Sequence, residues 1–84
     1  MEIGQLGNLT SLYLYHNDLT ELPAEIGQLQ NLTRLSLGIN KLTELPAEIG
    51  QLQKLTRLSL SGNSISAENQ QLIKEWLPKC RITF

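Results

Sequence analysis

Apolar residues recur along the chain in a fixed order that returns every 23 positions. The order is L-x-x-L-x-L-x-x-N-x-L, with isoleucine once in the last place. The three copies comprise Leu9, Leu12, Leu14, Asn17 and Leu19; Leu32, Leu35, Leu37, Asn40 and Leu42; and Leu55, Leu58, Leu60, Asn63 and Ile65. The central L-x-L alternates apolar and polar positions, which predicts a short strand with one buried face. Because so short a strand is not stable alone, the spacing predicts three stacked units whose leucines share one core.

Between the strands, the string LPAEIGQL occurs twice without change. Its prolines, Pro23 and Pro46, suit the first turn of a helix, because proline has a fixed φ and no N–H to leave without an acceptor. We therefore predict a short helix-like turn on the outer side of the stack, which Gly27 and Gly50 are expected to end. The apolar residues of this segment that should point back into the core are Ile26, Leu29, Ile49 and Leu52.

An asparagine follows each predicted strand, at Asn17, Asn40 and Asn63. Its side chain offers two donors and an acceptor, so a column of asparagines can pair loop carbonyls and N–H groups that no strand reaches. The alternative is a metal or ligand site built from these amides. Recurrence at the same place in every copy favours the structural role.

This spacing, with a 23-residue period and an added L-P-x-x-I-G-x-L segment, resembles the typical class of the leucine-rich repeat family over essentially the whole chain. The resemblance implies an α/β solenoid with three short parallel strands on its concave side and an irregular or short helical convex side. Residues 1–65 are expected to form three repeats, the first truncated at its N-terminus.

Residues 66–84 abandon the repeat and are predicted to form a cap of one helix and one edge strand. Ser66 is a suitable N-cap and Pro78 should end the helix, whose apolar face comprises Leu72, Ile73, Trp76 and Leu77. Cys80, Ile82 and Phe84 then alternate with polar residues. The segment resembles the C-terminal caps of small bacterial leucine-rich repeat proteins, S-x-E-x-Q followed by L-P-x-C-[KR]-I-x-F. Trp76 and Cys80 are interpreted as packing residues rather than as an interaction anchor and a reactive thiol.

The positions that vary between copies lie largely on the exposed side of the predicted strands, where family members generally bind protein partners. The candidate partner-binding residues are Tyr13, Tyr15, His16, Arg34 and Arg57, with Asp18 and Lys41 at the rim. Tyrosine provides a large contact area at little entropic cost, and arginine can bind carboxylates with two hydrogen bonds. The alternative is that these side chains merely cover a half-exposed sheet.

The N-terminal residues enter the repeat in mid-unit. Ile3, Leu6 and the strand around Leu12 and Leu14 should therefore present an apolar end and an edge without a partner. We expect either that further repeats precede this sequence or that a second chain covers it, and hypothesise self-association through this N-terminal edge.

Composition excludes several classes of function. With 84 residues and a net charge of -1, the chain lacks the basic surface that nucleic acids or acidic membranes require. No apolar run approaches the roughly 20 residues of a membrane span, and no signal peptide is seen. With one histidine and one cysteine, we predict no enzyme activity, catalytic residue, metal site or cofactor.

The resemblance therefore implies a non-enzymatic protein–protein interaction module with a partner of unknown identity. Two alternatives remain: a fragment of a larger bacterial effector or signalling protein whose activity lies elsewhere, and a structural repeat that self-associates. The expected location is the cytoplasm or, for a bacterial product, a host cell.

Overall fold

The computed structural model describes residues 8–84, which form one four-stranded parallel sheet with helical segments behind it. The strands, in spatial order, are β1 (Ser11–Tyr13), β2 (Arg34–Ser36), β3 (Arg57–Ser59) and β4 (Arg81–Thr83). Two 3-10 helices, Ala24–Gln28 and Ala47–Gln51, connect the first three strands, and α1 (Ala67–Trp76) precedes β4. This arrangement confirms the predicted α/β solenoid, with the cap strand added to the same sheet.

The strand register places equivalent residues of successive repeats side by side. Leu12 pairs with Leu35, Leu35 with Leu58, and Leu58 with Ile82. These side chains point to one face of the sheet, where they join a core of leucines and isoleucines. The core residues that are no more than 2% exposed are Ile26, Leu29, Leu32, Leu35, Leu37, Leu42, Ile49, Leu52, Leu58, Leu60 and Ile73.

The connecting segments form the convex side as predicted, but their glycines have a different role. Pro23 and Pro46 are the N-caps of the 3-10 helices, both with φ of -68°. Gly27 and Gly50 lie inside these helices, so the prediction that they end the turn was wrong. A Cβ at Gly27 would come within 2.6 Å of the Glu48 carbonyl oxygen of the next repeat. The close packing of the two repeats therefore requires glycine at position 27.

A column of asparagine amides links neighbouring repeats. Asn40 is only 8% exposed, and its Oδ1 accepts hydrogen bonds from the backbone N–H groups of Asn17, at 2.8 Å, and Leu19, at 3.0 Å. Its Nδ2 donates to the carbonyls of Leu14 and Leu37, both at 3.0 Å. Asn63 makes equivalent bonds one repeat further on, to Leu37, Leu42 and Leu60. Each amide thus ties its own loop to the loop of the preceding repeat.

The cap begins and ends its helix at the predicted residues. The Ser66 hydroxyl accepts a hydrogen bond from the Asn69 N–H at 3.2 Å, and α1 ends at Trp76, two residues before Pro78. Ile73 and Leu77 are buried and Trp76 is half-buried.

Leu72, however, is 42% exposed and does not belong to the buried face of α1. At 100° per residue, it lies about 90° from the centre of the face formed by Ile73, Trp76 and Leu77. It therefore sits at the margin of the helix surface that packs on the second 3-10 helix.

The first repeat is less well covered than the others. Leu12 and Leu14 are half-buried, and β1 is the outermost strand among the described residues. Ile3 and Leu6, on which the predicted apolar end also depends, lie outside the described residues.

Candidate protein-binding surface

All three arginines of the chain lie in one column across the concave face of the sheet. The register pairs Arg34 with Arg57 and Arg57 with Arg81. We call these three residues the arginine column. The sequence predicts Arg34 and Arg57 as binding candidates but not Arg81, which belongs to the predicted cap. The alternation of Ile82 with its polar neighbours indicated that Arg81 faces outward, but not which strand it joins.

Within residues 8–84, no acidic side chain forms a salt bridge with the arginine column. All three residues are exposed, and among residues 8–84 the structure has one salt bridge, between Lys41 and Asp18 at 3.9 Å. That pair lies at the rim with both side chains largely exposed, so it contributes little to stability. The guanidinium groups are therefore available to an external anion.

A shallow groove of about 310 Å³ runs beside the arginine column. Arg34, Arg57 and Arg81 line it together with Tyr13, and a second column contributes hydroxyl groups from Ser36, Ser59 and Thr83. Leu35 and Leu58 also line the groove, although their side chains point into the core because strand residues alternate between faces. The groove thus combines three guanidinium groups, three hydroxyl groups and one aromatic ring.

The groove brings together only some of the predicted binding residues. Tyr13 and Tyr15 are 59% and 58% exposed, but only Tyr13 lines the groove. Backbone hydrogen bonds between the first two repeats continue beyond β1 as far as His16, whose N–H donates to the Gly38 carbonyl at 2.9 Å. Tyr15 and His16 therefore form a separate exposed corner in the first repeat, and Asp18 and Lys41 lie at the rim.

Three residues beyond the ends of β1, β2 and β3, the backbone adopts a left-handed conformation. The φ angles are 61° at His16, 54° at Ile39 and 81° at Gly62. For a β-branched residue this conformation is strained by roughly 1–2 kcal/mol, yet the Ile39 side chain is 58% exposed and gains little burial in return. The turn thus presents Ile39 to solvent at the edge of the concave face.

Comparison with known proteins supports the repeat pattern. A family model described as a leucine-rich repeat region matches residues 1–76. The chain belongs to the leucine-rich repeat family. No curated protein matches it at a significant level.

Two solved structures share the fold. One from Leptospira interrogans is 54% identical with a TM-score of 0.96, and the match covers 98% of this chain and 21% of that one. Chaetomium Mex67:Mtr2 subunits match at 25% identity with a TM-score of 0.64, over 93% of this chain and 55% of that one. The chain therefore spans about a fifth of the length of the Leptospira protein. Leucine-rich repeat domains commonly mediate protein–protein interactions.

Trp76 and Cys80, which the sequence analysis interprets as packing residues, both line a second cavity of this leucine-rich repeat protein. Its volume is about 260 Å³. Trp76 packs there beside Gly50, where an added Cβ would lie 3.3 Å from the Trp76 Cβ. Burial raises the pKa of the Cys80 thiol, which lowers its thiolate fraction at neutral pH. Both observations are consistent with packing.

Other kinds of site have no counterpart in the described part of the chain. Between residues 8 and 84, no three histidine, cysteine or acidic side chains are grouped as metal ligands. Within the same residues, no helix has the length and apolar character needed to cross a membrane.

Proposed function

We propose that this leucine-rich repeat chain is a non-enzymatic interaction module that binds a protein partner on its concave face. The observation that carries the proposal is the exposed arginine column with Tyr13 beside it, held on a hydrogen-bonded sheet and without an internal acidic partner among the described residues. A rigid scaffold with uncommitted arginine and tyrosine side chains is typical of a protein-binding surface.

The differences between repeats support this location. The first and second repeats match at 17 of 23 positions, so identical residues concentrate in the core and the connecting segments. The six differing pairs are Gly7 and Gln30, Ser11 and Arg34, Tyr13 and Ser36, Tyr15 and Gly38, His16 and Ile39, and Asp18 and Lys41. Five of the six lie on the concave face or its rim, where a change of side chain alters a binding surface without disturbing the core.

The size of the face limits what it can bind alone. Four strands of three residues each, spaced about 4.8 Å apart and rising about 3.3 Å per residue, provide roughly 200 Å² of concave surface. A stable interface needs about 800 Å² from each partner. We therefore expect weak binding by this chain alone and stronger binding where neighbouring repeats extend the face.

A site-specific photo-cross-linker tests the location. Placed at Ser61, which is exposed beside the groove, it should form adducts with the partner in the cells that produce the protein. The matched control is the same cross-linker at Gln51, which is exposed on the convex side. Equal adduct formation at both positions would contradict the proposal, and mass spectrometry of the adducts identifies the partner.

Self-association is a second candidate, favoured by the partial exposure of the first-repeat leucines Leu9, Leu12, Leu14 and Leu19. Among the described residues, β1 has a neighbouring strand on one side only, so its other edge can accept a further strand. Light scattering at rising concentration tests this idea, and a constant monomer mass would refute it. A longer parent protein would supply that strand from its own chain, and this chain would then be one part of a larger signalling or effector protein.

A further inference from the structure

The arginine column also indicates the shape of its ligand. We propose that it binds the acidic face of an α-helix from the protein partner, with carboxylates at positions i, i+3 or i+4, and i+7, and the helix axis running across the strands. This inference rests on the proposed function, because it specifies the chemistry of the partner at the same concave face.

The free protein has an electrostatic reason to accept an anionic partner. Parallel strands lie about 4.8 Å apart, so the paired arginines hold three like charges in adjacent strands. Side-by-side charges of one sign are unfavourable, and no carboxylate among residues 8–84 forms a salt bridge with them. A ligand that places negative charge along the column removes this repulsion and forms new ion pairs.

The identity of the side chains favours carboxylates held by two hydrogen bonds. The chain has seven basic residues, and its three arginines all occupy this column while its four lysines lie elsewhere. Arginine presents a planar fork of N–H donors that matches a carboxylate, whereas lysine acts as a point charge. The neighbouring hydroxyls of Ser36, Ser59 and Thr83 provide further donors along the groove.

The spacing of the column distinguishes a helix from an extended peptide. From Arg34 to Arg81 the column spans two strand spacings, or about 9.6 Å. Helix residues i and i+7 are about 10.5 Å apart, and the carboxylate between them lies about 4.5 or 6.0 Å from the first. An extended peptide places side chains on one face about 6.7 Å apart, so its third carboxylate lies about 13 Å along. Only the helix keeps all three carboxylates close to the arginines.

The surface beside the column has room for a helix. Toward the carboxyl ends of β2 and β3 the concave positions carry small residues, which are the partly buried Ser36 and Ser59, the buried Gly38 and the exposed Ser61. The two exposed tyrosines project from the concave face at its β1 end, where Tyr13 borders the groove. A helix about 10 Å wide can therefore lie on the small side chains with its acidic face toward the arginines and one end against Tyr13.

Nucleic acid is a poorer match for this surface. The chain carries a net charge of -1 despite the arginine column, since its eight acidic residues outnumber its seven basic ones. A long polyanion would extend beyond the column and meet no further arginine, because all three arginines of the chain lie within the column. A short acidic helix contacts the column alone.

Synthetic peptides with the full chain test the inference. The probe is a fluorescein-labelled, alanine-rich, side-chain-stapled helix with glutamates at i, i+4 and i+7. One control helix has the same composition with its glutamates distributed around the axis, and a second control is an extended peptide with glutamates at alternate positions. Fluorescence anisotropy at low salt should show at least about fivefold tighter binding of the probe than of either control. Binding should weaken as salt is raised.

Charge-matched variants locate the binding. Arg57→Gln at the centre of the column should weaken probe binding about fivefold, whereas Lys79→Gln should change it less than about twofold. Lys79 is an exposed residue outside the sheet, so its substitution removes the same charge from another place. Arg57→Lys keeps the charge without the fork and should give an intermediate loss. Unchanged circular dichroism spectra establish that the variants remain folded.

Several outcomes would overturn the inference. These are equal binding of the three peptides, equal losses in Arg57→Gln and Lys79→Gln, tighter binding of a single-stranded oligonucleotide than of the probe, or no peptide binding at about 1 mM. If one of these results is obtained but a protein partner still cross-links through Ser61, the proposed function stands and only the acidic helix is rejected.

Discussion

The first and second repeats carry leucines at the same positions, but they bury them to different extents. Leu32, Leu35, Leu37 and Leu42 of the second repeat are at most 2% exposed, whereas Leu9, Leu12, Leu14 and Leu19 are only partly buried. The second repeat lies between β1 and β3, while β1 has one neighbouring strand among the described residues. Leucines at the same repeat positions are therefore buried to an extent that depends on the repeats on either side.

The asparagines show the same contrast. Asn40 pairs with backbone groups of two repeats, whereas the Asn17 amide, among the described residues, donates only to the Tyr15 carbonyl, at 3.2 Å. The concave surface shows the reverse, because the first repeat carries the two exposed tyrosines and the second carries Ser36 and Gly38 at the paired positions. The repeat with the less enclosed core thus carries the larger exposed aromatic surface.

The largest expected effect comes from the core leucines. Leu35→Ala should lower the free energy of unfolding by about 3 kcal/mol, because it opens a cavity in a fully enclosed site. Leu12→Ala, at the paired position of the first repeat, should cost about 1 kcal/mol, since that side chain is only partly buried. Urea unfolding of the two variants measures both, and equal losses would show that the two repeats are equally enclosed.

The asparagine pair should give the next largest difference. Asn40→Ala leaves buried N–H and carbonyl groups without partners and should lower the free energy of unfolding by about 2 kcal/mol. For Asn17→Ala the expected loss is under about 0.5 kcal/mol, because the hydrogen bond that its side-chain amide donates is exposed to solvent. Thermal unfolding followed by circular dichroism compares the two. A loss for Asn17→Ala as large as that for Asn40→Ala would show that Asn17 has contacts beyond the described residues.

The left-handed turn position should respond in opposite directions in the second and third repeats. Ile39→Gly should stabilise the protein by about 0.5 kcal/mol, since relief of backbone strain exceeds the added freedom of the unfolded chain. Gly62→Ala should destabilise it by about 1–2 kcal/mol, because the φ is 81° and the new Cβ would lie 3.0 Å from the Ile39 nitrogen. Destabilisation by Ile39→Gly in urea unfolding would indicate that the exposed isoleucine contributes packing.

The smallest effect on folding is expected for the exposed tyrosines. Tyr13→Ala combined with Tyr15→Ala should change the free energy of unfolding by less than about 0.5 kcal/mol, because both side chains lie mostly in solvent. The same double variant should abolish partner adducts formed by the cross-linker at Ser61. Retained adducts with an unchanged circular dichroism spectrum would remove these tyrosines from the binding surface.

Local chemistry made several elements predictable from sequence. Alternating leucines indicated the strands, Ser66 indicated the start of the cap helix and Pro78 its end. The concave alignment of Arg34 with Arg57 also followed from the repeat period, because residues one period apart are paired in the sheet. Such features depend on a few neighbouring residues or on an exact period, and both can be read from the chain.

Other features depended on contacts that no short segment encodes. Arg57 pairs with Arg81, one residue further than the 23-residue period, so the period itself points to Cys80 instead. The sequence indicates a special role for Gly27, but the requirement for glycine comes from the close approach of the Glu48 carbonyl in the next repeat. The sequence by itself determined the repeat, its core and the kind of side chain on the concave face. Only the tertiary structure decided that three arginines form one column, because the register of β4 is set by how the cap packs on the third repeat.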